Sequence, residues 1–244
     1  RFTTQNKMKG QREESMKGKG MKDKALILFT RIPKLGRIKT RLEPFLGKEQ
    51  CVKLQTAFIK DIYDKLKDKD MDIIISYTEE GDLDVLRGIA GSDARLIKQV
   101  GPDIGDKMRN AIKKVLSEYK RVVLIGSDIP LLEKSDIETA FQVLETRDMV
   151  ISPTYDGGYY LIGMKKDHPE VFGIQYSTSS VFEETVERIR MLGKSYQRGS
   201  LQLDIDDKED FLKLHRILKD DRDIECRETR RVVNQIMEMK AESE

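Results

Sequence analysis

The sequence predicts an α/β fold built on a mainly parallel sheet flanked by helices. Three observations lead there. Short, continuous apolar runs recur at residues 25–29 (ALILF), 72–77 (DIIISY) and 121–126 (RVVLIG), as expected for strands covered on both faces. Between them lie segments with apolar residues at helical spacing. Strand and helix then alternate down the chain without repeat or interior linker, the pattern of a parallel sheet with crossover helices.

Each element has its own signal. Residues 25–29 form the first strand, and 48–66 a helix whose inner stripe is Cys51, Leu54, Phe58, Ile62 and Leu66. Strand 72–77, a short helix at 83–89 and a third strand at 95–100 follow. Met108, Ala111, Ile112 and Val115 mark the inner face of the next helix, before strand 121–126. Ser135 and Glu138 have capping-box spacing and open a helix. Strands at 149–153 and 159–164 come next, then a helix capped by Ser180 and Glu183 that ends at Gly193. Residues 202–204 read as short and extended, 208–218 as helical, and Val232, Ile236 and Met239 as a helical stripe in the tail. Residues 25–220 make one domain and 221–244 a helical tail that packs on that domain or on a partner.

Residues 1–24 differ in kind. They are rich in Lys, Arg and Gly, lack the apolar core of a signal peptide, and read as a disordered basic leader or upstream extension. The whole chain has 45 Lys+Arg against 43 Asp+Glu, a formal net charge of +2, so no global excess points to nucleic acid. No apolar run reaches the roughly 20 residues of a membrane helix. Cys51 and Cys226 form no CxxC pair, which argues against a zinc site or disulfide framework and for a reducing, cytoplasmic setting.

In such a fold, ligands bind beyond the carboxyl ends of the strands. The first loop there, residues 30–44, carries Arg31, Lys34, Arg37, Lys39 and Arg41 around Gly36, with no acid before Glu43. Five cations at a crevice suit phosphate oxygens. The loop is neither G-x-x-x-x-G-K-[ST] nor G-x-G-x-x-G, which disfavours a P-loop ATPase and a nicotinamide dehydrogenase. Asp128 follows strand 121–126 in Gly126-Ser127-Asp128-Ile129-Pro130, where a carboxylate suits Mg²⁺ or Mn²⁺ beside substrate phosphates.

A second acidic run, residues 203–210 (LDIDDKED), offers Asp206 as the next ligand, with Asp204 in reserve; Asp206 and Glu209 also have capping-box spacing. Asp156-Gly157-Gly158 makes a tight turn flanked by Tyr155, Tyr159 and Tyr160, more aromatic surface than a hairpin needs, so the turn reads as a substrate-facing loop in which Asp156 binds an acceptor hydroxyl or acts as general base. Gly105 and Arg109, at the start of the helix after the third strand, are candidates for phosphate or ribose. His168 and His215 lack any nucleophile or metal context and read as structural.

These motifs together resemble a known family. P-x-x-G-R-x-K-T-R-L (Pro33 to Leu42), G-x-D-[IL]-G-x-x-M (Gly101 to Met108), G-S-D-I-P, P-T-Y-D-G-G-Y-Y-L-I-G (Pro153 to Gly163) and D-I-D-x-x-x-D (Asp204 to Asp210) occur in that order, across about residues 25–215. The chain resembles the glycosyltransferase-like proteins of the arsenosugar-biosynthesis or selenodomain-associated type. That family is similar to phospholactate guanylyltransferases and, more distantly, to molybdenum-cofactor guanylyltransferases. The resemblance implies a GT-A nucleotide-diphospho-sugar transferase fold and a divalent metal held by Asp128 and Asp206, with Lys39 and Arg41 on phosphates and Tyr155 to Tyr159 bordering the acceptor.

Two departures from the wider superfamily matter. A single Asp stands in Gly-Ser-Asp-Ile-Pro where GT-A glycosyltransferases carry Asp-x-Asp, and the G-G-x-[ST]-x-R-[LM] loop of sugar nucleotidyltransferases is missing. The leading expectation is transfer of a sugar from a nucleotide sugar to a small-molecule acceptor. The second is nucleotidyl transfer from a nucleoside triphosphate with release of pyrophosphate. The third is a non-catalytic nucleotide-binding protein.

Overall fold

The computed structural model describes residues 21–67 and 70–242. The leader reading therefore falls outside the described residues for positions 1–20, and Lys22 to Lys24 belong to the first strand instead. That strand, β1 (Lys22–Thr30), is polar at its start because Lys22 pairs with Asp72 at 2.6 Å and Asp23 with Arg121 on the neighbouring strands. Ion pairs extend the strand below its apolar run, where alternation carries no signal.

After β1 come α1 (Glu43–Leu46), α2 (Lys48–Leu66), β2 (Asp72–Tyr77), α3 (Leu83–Ala90), β3 (Arg95–Lys98), α4 (Ile104–Leu116) and β4 (Tyr119–Gly126). The second half holds α5 (Lys134–Thr146), β5 (Met149–Pro153), β6 (Tyr159–Met164), a 3₁₀ turn (Pro169–Phe172), α6 (Val181–Met191), β7 (Tyr196–Arg198), α7 (Lys208–Asp220) and α8 (Arg227–Ala241). The sheet order is β3-β2-β1-β4-β6-β5-β7. Among the described strands only β6 runs antiparallel to its neighbours, because the Asp-Gly-Gly turn sends the chain straight back from β5.

The alternation within β1 decides both faces of the core. Leu26 and Leu28 pack with α2, α3 and α5, while Ala25 and Ile27 pack with α4 and α6. All four are fully buried, and burying a side chain of Leu or Ile size stabilises by about 1.5–3 kcal/mol. A third cluster joins α2, α7 and α8 through Leu54, Phe58, Leu214, Val233 and Ile236. The tail thus packs on its own chain. Its docking is fixed by Asp61 of α2, whose carboxylate accepts from Glu228 N (3.0 Å) and Thr229 N (2.6 Å) at the first turn of α8. Those amides lack partners within their own helix, so the carboxylate caps it from outside.

Several helix starts differ from the predicted ones. α5 opens at Glu133, boxed with Asp136, and Ser135 instead bonds the Glu133 carboxylate at 3.2 Å. α7 is capped by Asp207, which accepts from Asp210 N at 3.0 Å, so Asp206 is not the cap. Ser180 bonds the Glu184 side chain and no helix amide. β7 was not predicted, being three residues long and without an apolar run. Cys51 and Cys226 are buried free thiols. Among the described residues no helix is long and apolar enough to cross a membrane.

Candidate active site

β1 and β4 end side by side, and buried polar groups tie the two ends together. Thr30 Oγ1 lies 2.9 Å from Ser127 Oγ, which also accepts from Gln55 Nε2 of α2 at 2.8 Å. This places Asp128 rigidly at the carboxyl edge. The segment after β7 runs along the same edge: Gln202 N donates to Pro153 O (3.2 Å) and Ile205 N to Asp128 O (3.0 Å). Because that segment is extended, Leu203 and Ile205 point into the core while Asp204 and Asp206 share the opposite side. Asp136 of α5 braces it further, accepting from Ser200 Oγ at 2.6 Å and Gln202 Nε2 at 3.1 Å.

The result is a group of three carboxylates. Asp128, Asp204 and Asp206 each offer an oxygen within 4.8 Å of the other two. Lys39 Nζ donates to Asp128 Oδ1 at 2.5 Å and to Ile205 O at 2.6 Å, and Arg41 Nη1 lies 3.5 Å from Asp206 Oδ2. Burial, followed by the charges of Asp128 and Asp206, pushes the Asp204 carboxyl up to about 8. Asp206 is raised as well, by burial and then by Asp128. Asp156 adds to the negative potential felt by both.

Four acids therefore face two cations. An all-oxygen donor set short of positive charge fits a hard divalent ion of the Mg²⁺ or Mn²⁺ kind, whereas softer ions prefer His or Cys. Asp128, Asp204 and Asp206 are the residues that would hold it.

The other candidates are distributed unevenly. Arg31 Nη1 donates to Arg37 O at 3.2 Å and Arg37 Nε lies 3.4 Å from Glu80, so these two, with Gly36 between them, stiffen the exposed part of the loop. Arg109 is paired with Asp167 at 3.6 Å. Gly105 is pressed against Tyr176: a Cβ there would lie 2.5 Å from the ring. Its lack of a side chain has a packing cause, with or without a ligand. Tyr159 reaches Tyr176 OH at 3.3 Å within the α4 side of the core, whereas Tyr155 is 69% exposed at the rim.

The Asp-Gly-Gly turn is built from within. Asp156 Oδ1 accepts from Thr154 Oγ1 (2.6 Å) and from Gly158 N (3.0 Å), the side chain closing its own turn. Gly157 has φ +89°, and a Cβ on it would meet Ser179 O at 2.0 Å. Both the backbone conformation and the contact exclude a side chain. Gly157→Ala is expected to lower unfolding stability by about 2 kcal/mol or more in a denaturant titration. A change below about 0.5 kcal/mol would show that the turn and residues 177–180 are not clamped together.

Two contributors carried no motif. Asp136 was hidden inside a helix start, and Gln99 looked like an ordinary strand end. Gln99 is 7% exposed, and its Nε2 donates to Thr30 O (2.9 Å) and Ser76 O (3.0 Å), closing the gap between β1 and β2. The sequence carried no signal for it, because Gln99 lies inside the predicted strand 95–100, while the folded strand ends at Lys98 and only the packed sheet edge buries the side chain. A cavity of about 610 Å³ opens at the opposite, amino edge of the sheet, where Lys22, Asp72, Arg95 and Tyr119 largely satisfy one another.

Comparison with known proteins adds the lineage. The profile of a family described as an uncharacterized protein conserved in bacteria (DUF2064) matches residues 51–178. The chain belongs to the DUF2064 family. This DUF2064 chain is 31% identical over 195 residues to the 2-phospho-L-lactate guanylyltransferase of Methanocaldococcus jannaschii, covering 79% of the chain and 82% of that protein. The 2-phospho-L-lactate guanylyltransferase of Methanothermobacter thermautotrophicus is 29% identical over 195 residues, covering 78% and 83%.

Among solved structures, a protein from Desulfovibrio desulfuricans G20 assigned as a nucleotide-diphospho-sugar transferase is 32% identical. It superposes with a TM-score of 0.78 over 88% of this chain and 98% of that one. The DUF2064 chain has the nucleotide-diphospho-sugar transferase fold, as the sequence resemblance implied. The relatives named by their reaction carry out nucleotidyl transfer, which shifts the balance away from the glycosyl transfer expected first.

Proposed function

We propose that this protein is a metal-dependent nucleotidyltransferase, joining the nucleoside monophosphate unit of a triphosphate to a small acceptor. The observation that carries the reading is the convergence of Asp128, Asp204 and Asp206 beside Lys39 and Arg41. That geometry serves either kind of transfer, and the similarity to guanylyltransferases favours the nucleotidyl one. In the reaction an acceptor oxygen, of a phosphate or a comparable acid, attacks the α-phosphorus. The new P–O bond forms as the bond to the β-phosphate bridge breaks, and pyrophosphate leaves with the electron pair.

The divalent ion, when bound, neutralises charge on the triphosphate and on the leaving pyrophosphate. Asp128, Asp204 and Asp206 would hold that ion. Arg41, exposed beside Asp206, meets phosphate oxygens. Gln99 commits both Nε2 hydrogens to backbone carbonyls, so its amide cannot flip and its oxygen is left as an acceptor. That polarity suits a base with an N–H edge, such as guanine. The acceptor lies toward Asp156 and Tyr155, on the β5–β6 side of the carboxylates.

The products test the proposal. Protein incubated with Mn²⁺, a single nucleoside triphosphate and a panel of phosphorylated hydroxy acids and sugar phosphates should release pyrophosphate only when an acceptor is present. Release of nucleoside diphosphate from nucleotide sugars, with no pyrophosphate from any triphosphate, would restore the glycosyl reading. Nucleotide binding that ignores Mn²⁺, without turnover, would leave a binding protein.

A further inference from the structure

Lys39 does not reach outward as a phosphate-binding lysine of an open loop would. Its side chain is 2% exposed, against 41% for Asp128, and its ammonium is committed to Asp128 Oδ1 and to Ile205 O. The ammonium also lies 5.1 Å from the centre of the Phe58 ring. The backbone of Lys39 has φ +47°, a left-handed conformation that a non-glycine residue seldom adopts. The surroundings hold that conformation in place, and it aims the side chain at the acids. Arg41, two residues on, lies against Asp206. One loop thus supplies a cation to each of the two acidic limbs.

We propose that Lys39 is the resident counter-ion of the carboxylate cluster and that it changes partners during binding. In the ion-free protein it neutralises Asp128. A divalent cation drawn to the same carboxylate meets a positive charge already hydrogen-bonded to it, and at such separations the repulsion is large. The ion therefore binds well only when Lys39 has another anion to turn to. A triphosphate provides one, and for that anion the proposal rests on the nucleotidyl reading above. The consequence is reciprocal coupling: metal tightens triphosphate binding, and triphosphate tightens metal binding by the same factor. The basic loop then has two successive roles, holding the empty site together and afterwards holding the substrate.

The experiment titrates Mn²⁺ alone, a non-hydrolysable triphosphate analogue alone, and each in the presence of the other, into chelator-treated protein by calorimetry. Lys39→Gln keeps a donor for Ile205 O and removes the charge. It should bind Mn²⁺ alone about tenfold more tightly than the unaltered protein, and the analogue in the presence of Mn²⁺ about tenfold more weakly. Mn²⁺ affinity unchanged or lowered in the variant overturns the proposal. Tightened Mn²⁺ binding with no analogue binding to either protein upholds the counter-ion and refutes the triphosphate reading.

A measurement on the unaltered chain covers the case in which the variant fails to fold. Acetylation of Lys39, followed by mass spectrometry, should rise when Mg²⁺ alone is added at a concentration that saturates the site by calorimetry, and fall again with the analogue. Labelling that stays constant across the three conditions overturns the exchange.

Discussion

Asp128→Asn is expected to reduce turnover by about a thousandfold or more at saturating triphosphate and Mn²⁺, while the protein stays folded. The scale follows from what the residue contributes: losing one preorganised group that stabilises transition-state charge costs about 10²–10³ in rate, and a weakened metal adds to that. Folding should survive because the Asp128 carbonyl, not its side chain, accepts the Ile205 amide that holds the second limb in place. Asparagine also leaves an oxygen for Lys39. The substitution removes one of the charges that raise Asp204 and Asp206, which offsets part of the cost of leaving the buried Lys39 ammonium with a neutral partner, so the ion-free variant should melt within a few degrees of the parent. Steady-state kinetics with pyrophosphate detection, paired with a melting curve, reads both halves. Activity within tenfold of the parent at saturating Mn²⁺ would remove Asp128 from the proposed metal site.

How far this site could be read from the sequence differs residue by residue. β1, β2 and β4 were legible because each buries both faces and so must be a continuous apolar run, and Asp128 was legible as the first carboxylate beyond one of them. Asp206 was ambiguous, since its spacing to Glu209 imitates a capping box; the helix starts one residue later, Asp207 takes the cap, and Asp206 is left to the cluster. Asp204 ranked as the reserve although the period-2 pattern of Leu203 to Asp206 already placed it on the same side.

Lys39 shows a different limit. Its charge and loop position pointed to an anion, but charge does not say which anion, and the nearest ones belong to Asp128 and its neighbours. Gly157 was readable as a turn glycine, yet the stronger reason for it is Ser179, a contact that only the folded chain creates. Arg109 fits a phosphate by position, and a partner 58 residues away, Asp167, takes it. Local pattern reports periodicity and backbone need well; it reports the partner of a charged side chain poorly, because long side chains choose among several neighbours brought in by tertiary structure.

A second large effect should appear in the pH dependence of the ion-free protein. Burial, and after it the charges of Asp128 and Asp206, raise the Asp204 carboxyl from its ordinary value to about 8, so between about pH 4 and pH 8 the folded chain holds a proton that the unfolded chain has released. Stability from this group is complete at low pH and is lost as pH rises toward 8; Asp206, raised for the same reasons, acts in the same direction. Asp64, Asp72, Glu118 and Asp148 are lowered by their partners and oppose this at the acid end, so the raw melting curve mixes two trends. Comparison with Asp204→Asn isolates the one that matters. The variant cannot ionise at 204, so in the presence of chelator its melting temperature should overtake that of the parent by several degrees as pH is raised from 5 to 8.5. Mn²⁺ does the proton's work without requiring the proton, so millimolar Mn²⁺ should stabilise the parent more at pH 8 than at pH 5, and stabilise Asp204→Asn much less at either. Parallel melting curves for parent and variant across this range, with Mn²⁺ shifting both equally, would mean that Asp204 neither shares the proton economy of the cluster nor holds the ion.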